Sequence, residues 1–160
     1  MIINDKDKEN KMEILYLDLG NITNQIKRTY GKNYWLNFET LDRFDAVYVF
    51  TYYQRKAKPF YDKLIYAFNH YVETKVSFFP QHERSKRNAE MSMFIMSRLT
   101  DKDKSYFTNQ KIYVGSNDIC LAPFFKVLPL NLFSVNWRSE IPFKDVIKVD
   151  ESFIFDDQEL

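Results

Sequence analysis

Three features of this 160-residue chain predict an α/β fold built on a parallel sheet. Its strand-like segments are continuous apolar runs rather than alternating ones, as in sheets buried on both faces. They alternate strictly with segments of helical spacing, and no repeat or Pro/Gly/Ser-rich linker divides the chain. The order begins with "EILYLDL" (13–19), a short apolar run with a polar stop, which reads as a buried strand. In the next stretch, 21–41, Ile22, Ile26 and Tyr30 fall at helical spacing and Gly31 is placed to end the helix. "DAVYVFTYY" (45–53) is β-branched and aromatic without internal Gly or Pro, and makes a second strand. "PFYDKLIYAFNHYV" (59–72) opens with Pro at a helix's first turn and carries Phe60, Leu64 and Phe68 on one stripe.

"TKVSFFP" (74–80) is a third strand, closed by Pro80. "NAEMSMFIMSRL" (88–99) is a helix expected to turn Met91, Phe94, Ile95 and Leu99 inward. "KIYVGS" (111–116) reads as a fourth strand, "DICLAPFFKVL" (118–128) as a helix and "LFSVNW" (132–137) as a fifth strand. "ESFIF" (151–155) is a brief apolar segment ahead of an acidic tail, 157–160. The charged residues 1–11 are expected to be a disordered leader, which leaves 12–156 as one domain.

Composition narrows the function classes. Apolar residues make up 45% and aromatics 18%, enough for a packed core. Net charge is +1, so any anion-binding surface must be local. A lone Cys120 excludes an internal disulfide and a cysteine-based zinc cluster, and within a hydrophobic helix it is expected to be a small core residue. No apolar run reaches the ~20 residues of a membrane span, and no signal-peptide pattern opens the chain. A cytoplasmic protein without a membrane role is the expectation.

Open parallel sheets bind ligands beyond the carboxyl ends of their strands. Three acids fall there. Asp18 ends the first strand, Asp118 follows the fourth, and Glu90 lies in the first turn of the helix after the third. Two of them also have a simpler use: Asp118 suits a helix N-cap, and Glu90 suits a helix's positive end. Asp18 is harder to explain without a cation, because a buried strand has little use for a charge. Two or three such carboxylates form the oxygen-rich seat that Mg²⁺ or Mn²⁺ prefers.

Three motifs in this order resemble the NYN domains of the PIN-like nuclease superfamily. "LYLDLGNI" is similar to their first-strand signature, with Asp18 followed three residues later by Asn21. "KRNAEMSMFIM" resembles the family's Lys-Gly-x-Asp segment, with Arg87 at the Lys position and Glu90 at the Asp position. "YVGSNDICLAPFFKVL" resembles the fourth strand and its Ser-Gly-Asp-Ser-Asp-Phe turn, with Asp118 and Pro123 in matching places. The likeness runs from about residue 13 to 155. It implies a Rossmann-like, PIN-like three-layer domain with about five strands in the order 3-2-1-4-5. It also implies a Mg²⁺- or Mn²⁺-dependent ribonuclease site in which Asp18, Glu90 and Asp118 hold the metal. Asn21 would orient a ligand or Asp18, and Arg87 with Lys86 would hold the RNA backbone. The chain departs from the pattern at Ser116, where the family carries another acid, and Asn117 beside it is neutral. Ser116 and Asn117 are then expected to contact substrate, with Ser116 coordinating weakly or through water.

Two basic stretches, "QRKAK" (54–58, with Arg55 and Lys56) and "HERSKR" (82–87), flank the proposed crevice. Together they could neutralise several RNA phosphates, and Tyr52, Tyr53 and Phe79 could stack on bases. His70 and His82 are read as surface or packing residues. The leading expectation is a metal-dependent RNA endonuclease. Its rival is a weakened or inactive domain of the same fold that binds RNA or a protein partner, and a homodimer is a further expectation. A different Rossmann-like phosphatase or phosphotransferase using Asp18 as nucleophile ranks below both, since Gly20 stands where such enzymes commonly carry a second Asp.

Overall fold

Continuous apolar strands bury both faces of a sheet only when helices cover both, and the chain builds that arrangement. A computed structural model describes residues 11–53, 62–63, 66–67, 75–82, 88–139 and 145–156. Six parallel strands form the main sheet: β1 (Met12–Asp18), β3 (Ala46–Tyr53), β4 (Lys75–His82), β5 (Gln110–Gly115), β6 (Asn131–Ser134) and β7 (Val146–Lys148). Their order is β4-β3-β1-β5-β6-β7. This is the expected arrangement with one further edge strand. A separate antiparallel pair joins β2 (Tyr34–Leu36) to β8 (Ile154–Asp156), which gives the brief apolar segment at 151–155 its partner.

Alternation along β1 divides the core. Leu15 and Leu17 point to one face, where helix α1 (Leu19–Tyr30) delivers Leu19, Ile22 and Ile26. Ile14 and Tyr16 point to the other, against Met91, Ile95, Met96 and Leu99 of α2 (Asn88–Thr100) and Phe125 of α4 (Ala122–Val127). The result is a Rossmann-like three-layer domain. Helix α1 ends at Gly31, whose φ of 134° suits glycine and whose N–H reaches the Lys27 carbonyl at 3.0 Å.

Several boundaries differ from expectation. The segment 118–128 is not one helix. A 3-10 turn at Ile119–Leu121 precedes α4, with Pro123 in the first turn of the helix. That step turns Leu121 and Phe125 inward and leaves Cys120 exposed, so Cys120 is not a core residue. In α2, Met96 is buried and Phe94 only half-buried. The fifth expected strand closes at Ser134 rather than at 137. A short helix, α3 (Lys104–Asn109), capped by Asp103, leads into β5. Most of the helix expected at 59–72 lies outside the described residues, as do 1–10 and 157–160; residues 62–63 and 66–67 are helical.

Candidate functional site at the carboxyl ends of β1 and β5

The chain leaves β1 toward β3 and β4 on one side and returns to β5, β6 and β7 on the other. The crevice beyond the ends of β1 and β5 is therefore where the direction of winding reverses, the usual ligand position in such sheets. Two acids flank it.

Asp18 is the last residue of β1 and the N-cap of α1; its Oδ1 accepts the Asn21 backbone N–H at 3.2 Å. The residue is only 3% exposed, and Oδ2 is buried without a hydrogen-bond partner. Burial raises its carboxyl, the Asn21 N–H pulls it down and the charge of Asp118 pushes it up, with a net result of about 7. Asp118 caps the 3-10 turn, with Oδ1 accepting the Cys120 N–H at 2.9 Å. Its Oδ2 is likewise buried and unpartnered. Each acid thus uses one oxygen on the backbone and leaves the other unsatisfied.

Neutral amides tie the two segments together. The Asn21 Oδ1 accepts both the backbone N–H of Asn117, at 2.7 Å, and its side-chain Nδ2, at 3.0 Å. The Asn117 Oδ1 in turn accepts the Ser134 hydroxyl at 2.6 Å and the N–H groups of Val135 and Asn136 at 2.9 and 2.8 Å. Asn21 therefore bonds the Asp18 carboxylate through its main chain and the residue beside Asp118 through its side chain. Ser116 is fully buried, and its hydroxyl accepts the Asp118 N–H at 3.1 Å. Gly115, just before it, has no room for a side chain: a Cβ there would come within 2.9 Å of Leu17 Cδ1 and 3.3 Å of Phe133 Cδ1.

Asp18, Asn21, Ser116, Asn117 and Asp118 are thus brought to one end of the sheet. Glu90 lies in the first turn of α2, and its side chain is outside the described residues. Arg55, Lys56, Lys86, Arg87 and His70 are also outside them, as are the side chains of Tyr52, Tyr53, Phe79 and His82. Among the described residues no three His, Cys, Asp or Glu side chains gather as metal ligands. Of two further residues here, Ser134 went unread in the sequence and Cys120 was expected in the core. Ser134 had a visible signal, a hydroxyl inside an apolar strand; Cys120 beside Asp118 had none, because its exposure follows from the 3-10 turn. Hydrogen bonding to Asp118, and the charge of that carboxylate, hold the Cys120 thiol above its ordinary pKa.

No protein-family model and no curated protein matches this chain. In fold it is similar to the crystal structure of a protein of unknown function from Vibrio parahaemolyticus, with a TM-score of 0.61 and 11% identity. The match covers 96% of this chain and 100% of that one, and at this identity it speaks to the fold alone. No helix among the described residues is long and apolar enough to cross a membrane.

Proposed function

We propose that this protein is a Mg²⁺- or Mn²⁺-dependent RNA endonuclease of the NYN type, with Asp18 and Asp118 at its centre. The observation that carries the reading is the pair of buried carboxylate oxygens, one on each acid, left without a partner at the sheet's winding reversal. Unpaired buried charges are costly, and a divalent cation offsets that cost better than water does. The donor set fits a small hard cation, which takes one or two carboxylates and keeps several waters. Asp18 and Asp118 would hold it, with Glu90 as a third ligand. Such an ion supplies Lewis acidity, easing proton loss from water and offsetting charge on a phosphodiester.

The chain's own residues do the positioning. The Asn21 N–H fixes Asp18, and the Ser116 hydroxyl fixes the turn that carries Asp118. Arg55, Lys56, Lys86 and Arg87 would hold the RNA phosphates, and a cytoplasmic setting belongs to the same proposal. A second reading, an inactive RNA- or protein-binding domain, draws support from Ser116, a buried neutral residue where the family motif carries an acid.

One set of measurements separates the two. Mn²⁺ and Mg²⁺ are titrated against thermal stability, and cleavage of single-stranded and structured RNA is then assayed, with Asp18→Asn as control. The nuclease reading expects ion-dependent stabilisation and cleavage that vanish together in the variant. Absence of both would overturn it. RNA binding without cleavage, weakening steeply with salt, would favour the second reading. Unchanged RNA binding after charge reversal at Arg55, Lys56, Lys86 and Arg87 would remove the proposed RNA path.

A further inference from the structure

We propose that the Asn21–Asn117 bridge is a spacer that fixes the Asp18–Asp118 pair as a seat selective for a small octahedral cation over Ca²⁺. This rests on the reading above that the pair takes a divalent ion. The two acids belong to segments about a hundred positions apart in sequence, and the β1–β5 ladder last pairs Leu17 with Gly115. Beyond that register β1 and β5 no longer pair to set the two acids against each other, although Asp18 still pairs with Phe50 of β3. The two amides take over.

Asn21 touches both acid-bearing segments. Its N–H holds Asp18 Oδ1, and its side-chain oxygen receives two donors from Asn117. Asn117 is in turn locked to the end of β6 by three donors on one oxygen. The bridge is thus anchored on α1 at one side and on β6 at the other, and neither end can drift without leaving polar groups unpaired. Neutral amides serve here where carboxylates would add repulsion to an already crowded pair.

Rigidity of this kind acts on ion choice. Mg²⁺ demands near-ideal octahedral geometry, whereas Ca²⁺ accepts six to eight oxygens in adaptable arrangements. Loosening the spacer therefore weakens Mg²⁺ and Mn²⁺ binding far more than Ca²⁺ binding. Groups that orient metal ligands from behind typically control affinity by about 10- to 100-fold. Asn21 and Asn117 are positioning residues in this account, acting through Asp18 and Asp118.

The test is calorimetric titration of Mg²⁺, Mn²⁺ and Ca²⁺ into the full chain and into Asn21→Ala, Asn117→Ala and Tyr106→Phe. Asn21→Ala removes the bridge but keeps both the backbone N–H to Asp18 and the Asn117 anchor on β6, so it remains informative should Asn117→Ala fail to fold. Tyr106→Phe is the control for general destabilisation, placed in α3 ahead of the amino end of β5. The expected result is a loss of about tenfold or more for Mg²⁺ and Mn²⁺ in the Asn variants, with Ca²⁺ changed about threefold or less, and no change of ratio in the control. Wild-type binding with Asn variants that keep the wild-type affinities, or lose all three ions in proportion, would overturn the spacer while leaving the acid pair as an ion site. No divalent-ion binding by the wild type would overturn both.

Discussion

Asp18→Asn is expected to make the metal-free protein more stable at neutral pH. Burial and Asp118 raise the Asp18 carboxyl from 3.8 to about 7 in the folded chain. The folded state therefore holds this proton more tightly than the unfolded one. Between those two values stability falls as pH rises, and above about 7 it levels off. A shift of about 3 units corresponds to ~4 kcal/mol at most, since water entering the crevice reduces it. In a domain of this size that is an upper bound of about 8–16 °C in Tm. The substitution removes the charge but not the cap, because a carboxamide oxygen accepts the Asn21 N–H as well as a carboxylate does. Urea unfolding of both proteins in EDTA from pH 5 to 9 measures the effect, read as variant minus wild type so that other titrating groups cancel. The difference should vanish only below about pH 4, so it is already part-way developed at pH 5, and it should grow to a plateau above about pH 7. A flat difference across that range would refute the account of Asp18 as a buried, unpaired acid.

Three further outcomes follow from neighbouring contacts. Gly115→Ala drives a Cβ against Leu17 and Phe133 and should cost about 1–3 kcal/mol in urea unfolding. Tyr106→Phe strands the buried Tyr16 hydroxyl, whose partner is the Tyr106 hydroxyl, and should cost about 1–3 kcal/mol; adding Tyr16→Phe should recover most of it in a double-mutant cycle. The exposed Cys120 thiol should react with iodoacetamide more slowly than a free cysteine at pH 8, and Asp118→Asn should speed it. Equal rates in wild type and variant would sink the Asp118–Cys120 link.

Elements were legible where local pattern and tertiary role agree. The run ending in Asp18 is buried from Ile14 onward, and the spacing of Ile22 and Ile26 marks the inner face of α1. Three-residue strands left no period to read. Tyr34–Leu36 and Ile154–Asp156 exist because they pair with each other across more than a hundred residues. Val146–Lys148 is mostly exposed and is held by Leu132, Phe133 and Ser134. Cys120 was misplaced because its apolar neighbours resemble a helix interior, yet the Asp118 cap closes a tighter turn that faces the thiol outward. At the site, Asp18 was visible as a charge ending an apolar strand. The work of Asn117 was not, since it depends on Ser134, Val135 and Asn136, which only the fold brings near.

The distribution of polar groups at this end of the sheet is uneven in an informative way. The neutral residues are well satisfied: the Asn117 carbonyl oxygen has three donors, and the Asn21 carbonyl oxygen has two. The two charged residues, which need partners most, each keep a buried oxygen with none. A crevice shaped by stability alone would reverse that order, because Asn at both acid positions would cap equally well without repulsion. The amides hold together an arrangement that the carboxylates oppose. Stored repulsion of this kind, rather than any single acid, is the feature on which the proposed cation site rests.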